Sequence, residues 1–361
     1  MSERPFVSII MPIYNAAPFL HESLGSLIHQ TLKNIEIVCV NDGSKDDSLA
    51  IMRQYAEEDP RICIIDKPNG GYGHAMNRGL EAAKGEFIGI LEPDDYADAE
   101  MFERLYQTAS ETNADIVKSD YYDYRSADGS STYHPQLDHP DYPFPGKEYN
   151  VCYNAKEDPR LAIIPPCIWT AIYRKQMLDD NRITFNETPG ASYQDTSFSF
   201  KAMACAESVI FIKEAFIHYR IDNENSSINS KSKIFSVCDE FRTIDAFLNE
   251  KKERRELFAR VLQIHKMRTY DWNLSRITPE YRNVFASYVF GEFMKAESEG
   301  FVHEEDFTPE QWARWKTWFE NYRYIMNAEQ IIMNSPTYKI GSLITFVPRK
   351  IREILKRKGK V

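Results

Sequence analysis

Four residues in the first third of the chain, Glu92-Pro93-Asp94-Asp95, follow the apolar run 87–91 with no spacer. An apolar strand that ends directly in carboxylates carries negative charge to one edge of a sheet. In open α/β folds that edge, at the carboxyl ends of the strands, is where ligands bind. Crowded carboxylates repel one another unless a cation sits among them. The pattern therefore suits a hard divalent ion held by oxygen ligands, with phosphates of a substrate completing its shell. A solvated acidic turn is the other reading, because Pro-Asp-Asp is ordinary loop chemistry. A second acidic strand end, Asn41-Asp42-Gly43-Ser44, follows the run 35–40. It reads either as part of the same crevice or as a tight turn that caps a helix. In 69–77, Gly71 and Gly73 open a helix after a strand, but Met76 stands where a dinucleotide fingerprint needs its third glycine. That strand is also the third in order, so the fingerprint is not met. A glycine-rich helix start still lets backbone approach a phosphate or sugar.

Positioning these groups requires a sheet, and the first 120 residues supply its pattern. Short β-branched runs at 7–11, 35–40, 62–65, 87–91 and 116–118 alternate with amphipathic stretches, the mark of parallel strands covered by helices. Phe19, Leu20, Leu24, Leu27 and Ile28 recur at helical spacing in 18–30, and Ser44-Lys-Asp-Asp47 opens the next helix with a capping-type sequence. Residues 120–149 are rich in Tyr, Pro, His, Ser and Asp and read as a long loop or irregular insertion. Strands are predicted at 167–173, 208–212 and 215–219, helices at 174–180 and from about Gln194, and a mainly helical pattern after the polar run 222–230.

Length and composition bound the function. At 361 residues, with 43% hydrophobic and 27% charged residues, the chain can bury a large core in one or two domains. A net charge of −10 argues against a nucleic-acid binder. The six cysteines, at 39, 63, 152, 167, 205 and 238, form no CxxC pair, which suits reduced, mostly buried thiols in a cytoplasmic protein. The amino terminus runs straight into a strand pattern, so no signal peptide is expected, and no stretch reaches the roughly 20 apolar residues of a membrane span.

Taken together, the motifs resemble one family. Residues 7–15 with Pro12 and Tyr14, Gln30-Thr31, Asn41-Asp42-Gly43-Ser44, Asn69 with Gly73, Asn77-Arg78-Gly79, Gly85-Glu86-Phe87 and Glu92-Pro93-Asp94-Asp95 occur in the order and spacing of family 2 glycosyltransferases. The resemblance covers about residues 5–230. It implies an α/β GT-A (Rossmann-like) domain binding a nucleotide-sugar, with a mainly helical C-terminal extension. The implied organisation is a GT-A domain at 1–230, divided into a nucleotide-binding half (1–120) and an acceptor half (121–230), then a helical region at 231–361. By the same resemblance Pro12 and Tyr14 border a uracil and Asp42 accepts a hydrogen bond from it. Asp94 lies near the ribose, and Asp95 binds Mn²⁺ or Mg²⁺ bridging the diphosphate. Glu92 stands where the family more often has Asp. Tyr193-Gln194-Asp195 with Phe198 resembles the family's Glu-Asp-x-x-Phe motif, with Gln194 replacing Glu and Asp195 as the base for the acceptor hydroxyl. A base opposite the leaving diphosphate implies inversion at the anomeric carbon. His218-Tyr219-Arg220 and Ser226-Ser227 resemble the family's Tyr-Arg and Ser positions; Arg220 contacts the diphosphate or forms a structural salt bridge. Trp169 matches an aromatic near the acceptor, or packs in the core.

Two features lie beyond that span. Gln311-Trp-Ala-Arg-Trp315 matches a short signature of processive polysaccharide synthases, but no transmembrane helices surround it, and Thr308-Pro-Glu-Gln-Trp is an ordinary helix start. Residues 336–361 carry a charge of +7, leaving −17 on the rest. Apolar residues at helical spacing from Ile340, with later Lys and Arg around them, read as a basic amphipathic tail. Such a tail lies on an anionic membrane or docks on the acidic body. The expected function is metal-dependent, inverting transfer of a hexose from a UDP-sugar to a hydroxyl of a glycan, at the cytoplasmic face of a bacterial membrane. The expected acceptor is lipid-linked, in surface-polysaccharide synthesis. The alternatives are a sugar nucleotidyltransferase, which needs a basic Gly-rich loop that residues 11–15 lack, and a non-catalytic glycan-binding or scaffold protein.

Overall fold

The computed structural model describes residues 4–320 apart from 140–141, 144–145, 225–233, 314 and 318. The chain divides into two compact units, residues 1–269 and 270–361. The boundary expected at 230/231 and the basic tail both lie outside the described residues.

The first unit is built on a ten-stranded sheet. Its strands are β1 (Val7–Ile13), β2 (Ile35–Asp42), β3 (Ile62–Lys67), β4 (Phe87–Ile90), β5 (Tyr96–Ala97), β6 (Ile116–Tyr124) and β7 (Ser131–His134), followed by β10 (Cys152–Tyr153), β11 (Ala171–Arg174) and β12 (Val209–Arg220). A separate short pair joins β8 (Asp138–His139) to β9 (Tyr142–Pro143). The order is β10-β12-β6-β11-β4-β1-β2-β3, with β5 on β12 and β7 on β6. β1 pairs parallel with β2 and β4, β2 with β3, and β6 with β12, while β11 runs antiparallel between β4 and β6. Consequently the carboxyl ends of β1, β2, β3, β4, β6 and β12 and the amino end of β11 share one edge.

The helices of this unit are α1 (Ala17–Ile28), α2 (Ser48–Glu58), α3 (Tyr72–Ala82), α4 (Met101–Thr112), α5 (Lys175–Asp180), α6 (Gln194–Cys205) and α7 (Ser236–Asn249). β1, β2 and β4 are buried along their whole length, as expected for Val/Ile-rich parallel strands covered on both faces. α1 buries Leu20, Leu24 and Leu27, one stripe at i, i+4 and i+7.

Five expectations change. Residues 120–149 are not an irregular insertion throughout: β6 continues to Tyr124 and pairs with β7 as a hairpin, because its aromatic residues fill a pleated surface. The strand read at 167–173 begins as a 3₁₀ turn, Ile168–Thr170, and becomes extended only at Ala171. The two strands read at 208–219 are one, β12, whose register with β6 shifts between Ile212 and Ala215. The exposed Lys213 and Glu214 resemble a turn in sequence, yet a bulge holds such residues without ending a strand. The capping sequence before α2 works through a different residue: Asp47 makes no side-chain cap, while Asp46 accepts from Ser48 N–H (3.1 Å) and Ala17 N–H (3.0 Å). Of the six cysteines, Cys39 and Cys238 are buried but Cys63 and Cys152 are exposed, so the expectation of mostly buried thiols holds only in part.

α8 (Lys252–Arg276) leads into the second unit, which holds α9 (Pro279–Ser298) and a helical stretch at 309–313. Tyr270 packs against Phe285 and Phe293 and donates its hydroxyl to Glu292 (2.7 Å). Trp315 stacks edge-on against Phe293 at 4.2 Å, and Trp312 packs on Phe307 at 5.6 Å. Thr308 and Gln311 form a reciprocal capping box: Gln311 N–H donates to Thr308 Oγ1 (3.2 Å) and Thr308 N–H to Gln311 Oε1 (3.0 Å). The Gln-x-x-Arg-Trp match is thus a capped helix start whose tryptophans serve the packing of this unit. No helix among the described residues is long and apolar enough to cross a membrane.

Candidate active site

The site is assembled from strand ends at the shared edge. β1 delivers Pro12, buried opposite Val40 of β2, and then Tyr14, which is 48% exposed. The next residue, Asn15, is in the left-handed region (φ 51°) and ties this end to the β2 end. Its N–H donates to Ser44 Oγ (3.0 Å), and its Oδ1 accepts from Lys45 N–H (2.7 Å).

β2 ends at Asp42, which is buried and faces Lys67, its register partner on β3. The two form a salt bridge, with both side chains nearly inaccessible. Gly70 N–H donates to Asp42 Oδ1 (2.8 Å) and Gly71 N–H to Oδ2 (2.9 Å). A buried carboxylate paired and hydrogen-bonded in this way is satisfied within the protein. Asp42 is therefore a latch on the glycine-rich turn before α3. The glycines of that turn admit protein backbone. A side-chain carbon on Gly73 would sit 1.8 Å from the Asn186 carbonyl oxygen, and Gly71 (φ +90°) lies against Gly190. Tyr72 N–H donates to Gly190 O (3.1 Å), and Asn77 Nδ2 to Phe185 O (3.0 Å). In this way 185–190, the approach to α6, is seated on α3.

β4 delivers the acidic cluster. Asp95 is 1% exposed; Oδ1 accepts from Arg220 N–H (2.8 Å), and Oδ2 has no hydrogen-bond partner. Burial, then the nearby Asp94 and Glu92 charges, push its carboxyl well above the usual range. Glu92 is pushed up to about 8, chiefly by burial, and accepts from Tyr72 OH (2.6 Å). Its carboxyl thus turns toward α3, which follows from a side chain one methylene longer than Asp. Asp94 accepts from Asn223 Nδ2 through Oδ2 (2.8 Å) and from Arg220 Nε through its carbonyl (2.7 Å).

Arg220, at the end of β12, is itself buried. Besides Asp94, its guanidinium hydrogen-bonds Ser126 and pairs with Glu22, and it lies 5.1 Å from the ring centroids of both Phe19 and Tyr124. Of the two roles open to it from sequence, this geometry is the structural one: Arg220 clamps the acidic turn from behind. Glu22 and Ser126 in this clamp carry no motif in the sequence, and neither does Lys67; only the tertiary arrangement reveals them.

Asp195 opens α6. Thr196 N–H donates to its Oδ1 (2.8 Å), yet burial outweighs this bond and raises the carboxyl to about 6. The tuning that a neighbouring Glu would have supplied comes here from desolvation. Gln194 uses its amide differently: Nε2 donates to Thr188 Oγ1 (2.9 Å) and Gly190 O (3.0 Å), and Oε1 accepts from Ser192 N–H. A carboxylate cannot donate, so only Gln can close this loop in this way. Asp195 stands within electrostatic reach of Glu92, Tyr72 and Tyr219, and Tyr219 also feels Asp95 and Asp94. Acids a hundred residues apart in sequence therefore converge at one edge.

Trp169 lies in the 3₁₀ turn before β11, at that same edge. It is buried, stacked on Tyr219 (5.1 Å, 6°) and edge-on to Tyr121 (4.9 Å). Lys118 pins the turn by donating to Cys167 O and Thr170 Oγ1 (2.7 Å). Ser226 and Ser227 lie outside the described residues.

An unpartnered, buried carboxylate oxygen beside further acids is a donor that a hard divalent cation accepts. Among the described residues no three His, Cys, Asp or Glu side chains form a metal cage. Asp95 thus fits an ion whose remaining ligands come from outside the chain.

The family model described as glycosyl transferase family 2 matches residues 8–181, a span that runs from β1 through α5. EpsH of Bacillus subtilis, named as a glycosyltransferase, is 32% identical over 266 residues, covering 70% of this chain and 72% of EpsH. The chain belongs to glycosyl transferase family 2. EpsJ of the same organism, also named as a glycosyltransferase, is 36% identical over 222 residues, and this match spans 62% of each chain. The solved structure of S. aureus TarS in complex with UDP-GlcNAc is 20% identical, with a TM-score of 0.68, covering 90% of this chain and 91% of that one. At that identity the likeness speaks for the fold, which is the GT-A fold of this family 2 member.

Proposed function

We propose that this family 2 chain transfers a hexose from a UDP-sugar to a hydroxyl of a glycan, with inversion at the anomeric carbon and with Mn²⁺ or Mg²⁺. The observation that carries the reading is the convergence of Asp95, with its unpartnered buried oxygen, and Asp195, with its raised carboxyl, at the carboxyl edge of one sheet. The UDP-GlcNAc in the TarS structure supports a uridine diphosphate donor.

Asp95 would hold the cation and Asp94 the ribose, while Pro12 and Tyr14 border the base. Asp42, fixed by Lys67 and the glycine turn, would hold the uracil side of the site in place. Arg220 positions the acidic turn from below. When bound, the cation would stabilise negative charge on the departing diphosphate as a Lewis acid. Asp195 takes the proton of the acceptor hydroxyl. A carboxyl raised to about 6 remains ionised near neutral pH and is a better base than an ordinary aspartate. Trp169, backed by Tyr219, borders the acceptor side.

Asp195→Asn tests the reading: turnover of a UDP-sugar with Mn²⁺ falls by about 10²- to 10⁴-fold while UDP binding is retained. Undiminished turnover removes Asp195 as the base. The acceptor in this reading is lipid-linked, and the basic residues of 348–361 hold the enzyme at an anionic membrane. Deleting 348–361 then releases the protein from anionic vesicles, whereas equal co-sedimentation of both forms refutes that element.

A further inference from the structure

Asp95 follows β4 and Asp195 opens α6, so the separation of the two acids is set by whatever joins those elements. Tyr72, the first residue of α3, touches both sides. Its hydroxyl donates to Glu92 Oε1 of the acidic turn (2.6 Å), and its N–H donates to Gly190 O in the approach to α6 (3.1 Å). The same carbonyl accepts from Nε2 of Gln194, the residue before Asp195 (3.0 Å). The Tyr72 ring adds a second path. It meets Phe185 edge-on (6.0 Å, 80°), and Phe185 stacks on Phe198 of α6 (4.2 Å, 6°), which shares a helix face with Asp195 at i+3. The approach to α6 needs such a hold. Tyr193 is in the left-handed region (φ 61°), a conformation that a bulky side chain keeps only where its surroundings impose it.

We propose that Tyr72 is a positioning residue for Asp195, holding the start of α6 at a fixed separation from the acidic turn through its hydrogen bond to Glu92. The proposal rests on the reading of Asp195 as the base. In an in-line displacement the acceptor oxygen, the anomeric carbon and the leaving oxygen lie on one line. The base and the groups that hold the diphosphate must therefore stand at one separation, and a misplacement of about 1 Å costs up to about 10²-fold in rate. The longer side chain of Glu92 has a use in this arrangement: it carries a carboxyl oxygen to the Tyr72 hydroxyl.

Tyr72→Phe keeps the ring and the N–H and removes only the bond to Glu92, so kinetics of the full chain with Mn²⁺ and a UDP-sugar test this. In Tyr72→Phe, kcat falls by about tenfold, while KM for the donor and the calorimetric affinity for UDP with Mn²⁺ change by less than about twofold. Glu92→Asp, which shortens the reach, gives the same loss, and the two changes together lose no more than either alone. Added to Asp195→Asn, Tyr72→Phe lowers the residual turnover by less than about twofold, because a residue that acts through the base has nothing left to position. A further tenfold loss in that background overturns the proposal, as does an unchanged kcat in Tyr72→Phe, or a fall in UDP affinity that matches the fall in kcat. If thermal unfolding shows that Tyr72→Phe does not fold, Glu92→Asp carries the same comparison with Asp195→Asn. If Asp195→Asn retains full turnover, the reading of the base fails; if it is inactive while Tyr72→Phe keeps its kcat, only the role of Tyr72 fails.

Discussion

Two strand ends of this protein carry an aspartate at the same sheet edge, and they are handled in opposite ways. Asp42, ending β2, is closed by Lys67, Gly70 N–H and Gly71 N–H. Asp95, after β4, has one oxygen tied to the Arg220 backbone and the other without a partner, although it is equally buried. A buried carboxylate with its donors in place stabilises the fold around it. One that lacks them costs stability until something binds. The contrast marks Asp42 as a tie between β2, β3 and the glycine turn, and Asp95 as the acid with an unpartnered buried oxygen, which the proposed function gives to the cation.

The largest effect that would break this contrast is on metal-linked binding. Asp95→Ala should reduce turnover by about 10³-fold or more, as expected for loss of an electrostatic stabiliser. It should also abolish the enhancement of UDP affinity by Mn²⁺ in calorimetry. Retained enhancement would show that Asp95 is not the ligand. Next comes stability. Asp42→Ala leaves Lys67 buried without its partner and should cost about 3–5 kcal/mol in urea unfolding. Asp95→Asn should change it by less than about 1 kcal/mol, or raise it, because the native group is poorly satisfied. Equal losses at the two positions would erase the distinction.

The smallest effect is in pH dependence without metal. Asp195 and Glu240, raised by burial to about 6 and about 7, hold protons in the folded state that the unfolded chain has lost above about pH 4. Unfolding therefore releases protons between these limits, and the contribution of the pair to stability declines as pH rises from about 4 to 7. The melting temperature should drop by about 2–4 °C across this interval. In the double variant Asp195→Asn with Glu240→Gln the drop should be smaller, Glu92 and Asp95 keeping their share of it; a drop of the same size as in the unmodified protein assigns it to other groups.

Much of the frame was legible in the chain. The strands 7–13, 35–42, 62–67 and 87–90 are apolar runs with Asn, Asp or Glu in their last residues or just after them, and period and punctuation suffice to find them. Asp195 was readable from its place in the Gln194-Asp195-x-x-Phe198 pattern at a helix start. Less legible were pairings that depend on distant partners. The bulge in β12 hid a continuous strand, and β6 extended into a segment whose composition suggested a loop. Glu22, Lys67 and Ser126 belong to no local pattern; each acquires its role only from the element packed against it.

The residue order by itself determined which side chains reach the carboxyl edge, because a strand's polarity and the turn after it are local properties. It also determined the family. What only the tertiary structure decided is the state of each charge. Arg220 is consumed in a clamp, Glu92 is drawn toward Tyr72, Asp42 is satisfied, and Asp95 is left with an open oxygen. The physical reason is that desolvation and hydrogen bonding depend on groups brought together from across the chain, and no spacing along the sequence encodes them.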